Sequence, residues 1–265
     1  MKRLCFLLFI VSLPGYGQTL TLSTESDSAK FYYYKGWEMV LDHANYTASE
    51  VAFRKSANFD PDFILVKPLV ARISTDPAER AAIFKTLEGV QPPTADEQKL
   101  FAVFMELAQL MIYRDQKKDD LLKMQVERAF RIGEENLKYI AEKYPDELFY
   151  ISEYIEVMHR NHGASLARLT AFELVPPEKQ REALFLWGYT AMLSAEMGHF
   201  KKARKQARVL EKQFRDIEAP RPWVVWADIL LKQGKRKKAL EYVEKALAID
   251  PGCIDAQRLK AELEE

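Results

Sequence analysis

The segment ALFLWGYTAMLSAEMGHFKKARKQARVL, residues 183–210, is echoed 36 positions later by WADILLKQGKRKKALEYVEKALAIDP. That shift sets Trp223 on Trp187, Ala227 on Ala191, Gly234 on Gly198, Ala239 on Ala203, and Lys237-Lys238 on Lys201-Lys202. Self-similarity at such a period marks a supersecondary unit that cannot bury its apolar face alone. Units of this kind are stable only when stacked. The chain is therefore constrained to a repeat architecture before any site is considered.

The repeating unit reads as helix-turn-helix, because apolar residues recur at three- and four-residue spacing and no run alternates as a strand would. Breakers punctuate the chain at Asp60-Pro61, Asp76-Pro77, Gln91-Pro92-Pro93, Tyr144-Pro145, Val175-Pro176-Pro177, Pro220, Pro222 and Asp250-Pro251. Asp76 with Glu79, and Thr94 with Glu97, have capping-box spacing. These signals predict an all-α solenoid of about six helical pairs, with a polar helix over 253–264 closing the array. The pairs between the clear repeats fall near 64–90, 94–143 and 147–175. The middle pair is long and turns at DQKKDD, residues 115–120.

At these residues the sequence resembles the tetratricopeptide-repeat family, whose 34-residue unit places a bulky residue early in its first helix, then a small one, a turn glycine, two alanines and a closing proline. Residues 220–253 follow that order with Trp223, Ala227, Gly234, Ala239, Ala246 and Pro251. Residues 184–217 keep Trp187, Ala191, Gly198 and Ala203, while Leu210 and Arg215 replace the second alanine and the proline. Residues 30–63 form a third match through Tyr46, Phe53, Asp60 and Pro61, in which Gly36 takes the small position if the turn holds one extra residue. The resemblance implies a protein-binding solenoid. Some relatives grip a carboxylate with Lys, Asn and Arg in the groove; here the corresponding positions are Gly188, Met192, Val224 and Asp228, so that clamp is not expected.

Residues 1–17 have the organisation of a signal peptide: Lys2 and Arg3, a ten-residue apolar stretch from Leu4 to Leu13, then Pro14 and small residues before Gln18. A stretch of that length is too short to span a bilayer, which takes about 20 residues. The expectation is an exported, periplasmic or secreted chain cut near Gly17, with a flexible leader over 18–28 and the repeat domain over 29–265. Cys253 is then the single mature cysteine, so no internal disulfide can form.

Chemical motifs are few. Glu156, His159 and His162 recur at three-residue spacing, the pattern of a metal-dependent hydrolase site on one helix face. Asn161-His162-Gly163, however, reads as a helix end and turn, which favours surface histidines over ligands. No nucleophile elbow, dinucleotide loop or phosphate loop is present, so no cofactor and no enzymatic activity are expected. The aromatic run KFYYYKGW, residues 30–37, is read as covering the core end of a terminal helix, with a concave ligand groove as the alternative.

Charge provides the remaining signal. The chain is neutral overall, with 39 Lys/Arg and 39 Asp/Glu, which argues against a protein devoted as a whole to nucleic acid. From Ala195 to Lys238, however, 13 basic residues face 5 acidic ones, so the molecule is polarised. Lys201, Lys202, Arg204 and Lys205, then Lys235, Arg236, Lys237 and Lys238, fall at the start of the second helix in two successive repeats. A helix N-terminus is partially positive, and each cation there costs about 0.3–1 kcal/mol at low salt. Tolerance of that cost twice predicts an edge for an acidic protein partner, or an anionic envelope surface, on a non-catalytic scaffold or assembly factor.

Overall fold

The computed structural model describes residues 19–265. The expected signal peptide, 1–17, lies outside the described residues. Thirteen α-helices follow one another, and no strand occurs among the described residues. They are α1 (Asp27–Trp37), α2 (Tyr46–Phe59), α3 (Lys67–Ile73), α4 (Pro77–Leu87), α5 (Ala95–Asp115), α6 (Asp119–Lys143), α7 (Leu148–Leu174), α8 (Pro177–Gln180), α9 (Leu184–Glu196), α10 (Phe200–Gln213), α11 (Arg221–Lys232), α12 (Arg236–Ile249) and α13 (Ile254–Glu264). Helix α7 breaks at Gly163, with φ 84° and ψ 171°, so it is itself a pair, turning at the predicted position. Successive helices pack as antiparallel neighbours, giving six pairs plus α13 in a tetratricopeptide-like solenoid.

The local signals act as expected, with one difference. Asp76 Oδ1 accepts from the N–H of Ala78 and Glu79 at 2.8 and 3.3 Å, and Thr94 Oγ1 accepts from Glu97 N–H at 3.2 Å. The reciprocal half of each capping box is diverted to tertiary contacts. Glu79 binds Arg54 and Ser74, while Glu97 Oε1 accepts from the Ser23 N–H at 2.8 Å. That last bond helps hold the leader, which was expected to be flexible: Leu20, Leu22 and Thr24 are buried against the body. Gly198 and Gly234 end α9 and α11 at φ 78° and 72°, the left-handed conformation that glycine adopts without a Cβ clash.

The first pair carries the extra turn residue that the sequence requires. Glu38–Asp42 winds as a π-helix, and His43 N–H reaches back to Glu38 O at 3.2 Å. Gly36 is the close-contact position, because a Cβ there would lie 2.3 Å from Phe53 Cε1. Serines replace the two alanines of this repeat: Ser49 Oγ donates to Gly36 O and Ser56 Oγ to Ala29 O, each at 2.8 Å. In the degenerate repeat, Leu210 occupies space left open by Gly188, whose Cβ would come within 3.1 Å of Leu210 Cδ2.

The array also closes on itself, which the sequence did not indicate. Arg221, almost fully buried, donates from Nε to Leu41 O at 2.8 Å and from Nη2 to Val40 O at 3.0 Å, and pairs with Asp255 at 3.2 Å. Its backbone N–H donates to His43 O, and Asp42 Oδ1 accepts from Phe185 N–H at 2.8 Å. Asp250 caps α2 through the N–H groups of Tyr46 and Thr47 at 2.7 and 3.2 Å. The 38–45 turn is thus held by the starts of α9 and α11, and the start of α2 that follows it is held by the end of α12. A buried guanidinium is tolerable only when charge-assisted bonds replace its hydration, and these carbonyls supply them.

Candidate functional site

The basic edge is formed by the starts of α10 and α12. Neither helix has a side-chain N-cap or an acid in its first turn. Lys201, Lys202, Lys205, Lys235, Lys237 and Lys238 are exposed, and none of them makes an ion pair among the described residues. Arg204 Nη1 lies 3.5 Å from Gln233 Oε1, so the start of α10 abuts the turn that leads into α12. The two basic clusters are therefore neighbours. Two further members are engaged within the fold. Arg236 Nη2 donates to Glu262 O and Leu263 O at 3.1 and 2.6 Å, capping the end of α13, and Lys202 Nζ stands 5.3 Å from the centre of the Phe172 ring. The first arrangement places a cation where the helix dipole favours it.

The Glu156, His159, His162 series divides rather than converging. His162 Nε2 contacts Glu134 Oε1 at 2.8 Å on α6. His159 contacts the Tyr189 hydroxyl at 2.7 Å and Glu196 at 3.1 Å on α9. Among the described residues no group of three His, Cys, Asp or Glu side chains is arranged to hold a metal ion. Glu156 instead faces the interior of the solenoid, as one wall of a cavity of about 450 Å³ that also reaches Arg72, Glu153, Tyr189, Asp255 and Arg258. Burial pushes the Glu156 carboxyl up to about 8, and the neighbouring Glu153 and Asp255 charges add to this. Sequence reading missed this cavity because its walls come from helices far apart in the chain, from Tyr46 and Arg72 to Asp255 and Arg258.

The aromatic run also divides. Tyr33 and Trp37 are core residues, with Tyr33 Oη 2.7 Å from Tyr150 Oη and the Trp37 ring centre 5.5 Å from that of Phe104. On the opposite side of α1, Tyr32 stacks on Phe59 at 5.4 Å, and both Phe31 and Phe59 are exposed. Cys253 is fully buried at the start of α13, and burial pushes its thiol up to about 12. These positions support packing roles for Tyr33, Trp37 and Cys253. No described helix is long and apolar enough to cross a membrane.

No curated protein matches the chain. The family model described as tetratricopeptide repeat matches residues 220–263, which span α11, α12 and α13. The C-terminal pair and its closing helix, which carry Lys235 to Lys238 and also hold the 38–45 turn, are similar to tetratricopeptide repeats.

Proposed function

We propose that the protein is a non-catalytic scaffold or assembly factor of the cell envelope, which docks an acidic protein partner along the edge formed by the starts of α10 and α12. The observation that carries this reading is the set of exposed lysines, Lys201, Lys205, Lys235, Lys237 and Lys238, on two helix starts that contain no acid. Their charges are unopposed where the helix dipoles already disfavour them, so an external anion would relieve a local cost. The likeness of 220–263 to a repeat used for protein binding supports the same reading, as does the signal-like organisation of residues 1–17.

The test compares the intact chain with the variant Lys201→Glu, Lys202→Glu, Lys237→Glu, Lys238→Glu after crosslinking in cells and fractionation. The expected result is an envelope-fraction protein partner whose capture falls with added salt and is lost in the variant. Equal capture by both chains would sink the proposal. Binding to anionic vesicles alone, without a protein crosslink, would assign the edge to a lipid surface instead.

A further inference from the structure

The fifth pair recurs as the sixth after 36 residues, against the 34 of a tetratricopeptide unit, and the loop between α10 and α11 holds the excess. Seven residues, 214–220, separate α10 from α11, whereas four, 250–253, separate α12 from α13. The longer loop is anchored at both ends. Phe214 is buried, with its ring centre 5.5 Å from that of His43, and Ala219 and Pro220 are buried as well. Between these anchors Ile217 is 44% exposed. The loop forms one wall of a groove of about 840 Å³, completed by the end of α10, the start of α11 and Ile249 at the end of α12.

The body of the groove is apolar. Phe214, Ala219 and Pro222 are buried, Trp223 and Ile249 are partly so, and Ile217 adds its exposed side chain. Trp223 is braced by Tyr242, with 5.9 Å between ring centres. On the α10 side the rim consists of Arg208, Glu211 and Lys212. Glu211, the one acid of α10, is engaged, because its Oε2 accepts from Trp226 Nε1 at 3.1 Å. Arg208 and Lys212 continue the basic edge instead: Lys201, Lys205, Arg208 and Lys212 recur at four- and three-residue spacing, so they share one exposed face of α10 over about 16 Å. None of the four makes an ion pair among the described residues. The loop contributes Arg215, Asp216 and Glu218, all exposed and of nearly balanced charge, so the positive potential of the rim belongs to α10.

We propose that the acidic partner docks as a helix along α10, with carboxylates opposite Lys201, Lys205 and Arg208, and with one large apolar side chain inserted in the groove against Ile217, Trp223 and Ile249. This inference rests on the reading of the basic edge as a protein-docking surface and adds the chemistry of the partner. An opposing helix can present acids at the same four- and three-residue spacing as the cations of α10. Charge complementarity of that kind steers encounter and suppresses wrong partners more than it adds affinity. A buried apolar anchor surrounded by a polar rim supplies affinity, and the anchored loop holds its pocket open before binding. The groove lies between the ends of second helices, so it continues the basic edge without involving the interior cavity that Glu156 lines.

Fluorescence anisotropy of labelled helical peptides with the full chain tests the assignment. One peptide carries glutamates at four- and three-residue spacing on an alanine background and a terminal tryptophan; a second has alanine in place of the tryptophan. Each is made with the variable residue at the amino end and at the carboxyl end, which covers both helix directions. Both compositions should bind in a salt-sensitive manner, and the tryptophan peptide in one direction should bind at least tenfold tighter than its alanine counterpart. Ile217→Ser should abolish that difference while leaving the alanine peptide's affinity unchanged, which also shows that the variant is folded. Lys205→Glu combined with Arg208→Glu should weaken both peptides. Equal affinity for tryptophan and alanine peptides, or a tryptophan advantage that survives Ile217→Ser, would overturn the groove assignment and leave the basic edge standing. Absence of binding by every peptide at low salt would overturn the groove together with the edge as a surface for acidic protein.

Discussion

Thr47 Oγ1 donates to Asp250 Oδ1 at 2.6 Å across 203 residues of chain, joining the start of the first repeat's second helix to the end of the last repeat. Asp250 is almost fully buried and accepts further bonds from the N–H groups of Tyr46, Thr47 and Gly252. One carboxylate therefore caps a helix that belongs to the opposite end of the sequence. Asp250→Ala should cost about 2–3 kcal/mol, since it strands buried donors, and Thr47→Val about 1 kcal/mol. Urea unfolding of both single variants and the double variant checks this. Strict additivity would mean that the two residues do not act as a pair.

The Gly36 contact predicts a steric effect. Gly36→Ala places a methyl 2.3 Å from Phe53 Cε1, and neither the α1 backbone nor the buried ring has room to yield. Overpacking of this kind costs about 1–3 kcal/mol or more. Phe53→Leu in the same chain should recover part of the loss, whereas Gly36→Ala with an unchanged melting temperature would show that the first pair is looser than described.

A carboxyl whose folded pKa is raised binds its proton more tightly in the native state. Glu156, pushed up to about 8, faces Glu153 and His159 on its own helix, Arg72 on α3, Tyr46 on α2, Tyr189 on α9, Arg221 on α11, and Asp255 and Arg258 on α13. Its contribution is fully present below the unfolded value of about 4.3 and is lost as pH rises toward 8. Glu156→Gln should match the wild type near pH 4 and exceed it in stability near pH 9. Denaturant midpoints across that range measure it, and a variant less stable at pH 9 would reverse the sign.

The basic edge predicts a conflict between stability and docking. Lys237→Glu and Lys238→Glu replace unfavourable cations in the first turn of α12 with favourable anions, so each should stabilise the free chain by about 0.5 kcal/mol at low salt. The gain should shrink as salt is added. Melting curves at two ionic strengths check the direction, and destabilisation would indicate that these lysines pair within the protein.

Cys253 should be inert in the native state. Its thiol is fully buried and pushed up to about 12, so little thiolate forms at pH 8. A thiol-reactive dye should label it only on unfolding; rapid native labelling would show local opening at the start of α13.

Much of the molecule was legible from local chemistry. Helix pairs, the turn glycines 198 and 234, the buried alanines 203 and 239, and the break at Gly163 follow from periodicity and backbone preference, which act over a few residues. The extra residue of the first turn was likewise legible from the offset between Gly36 and Phe53, although its form as a π-helix was not. The run of lysines could be placed on helix starts for the same reason, because the repeat sets their register.

Closure and the interior cavity were decided only in three dimensions. Arg221 looks like one more basic residue in a basic segment, yet it is buried against the carbonyls of Val40 and Leu41. Glu156 reads as part of a histidine motif, yet its charged neighbours come from α3, α11 and α13. Spacing along one helix records which side chains share a face. It does not record the curvature of the stack, and that curvature brings Asp250 to Thr47 and Arg221 to the carbonyls of Val40 and Leu41.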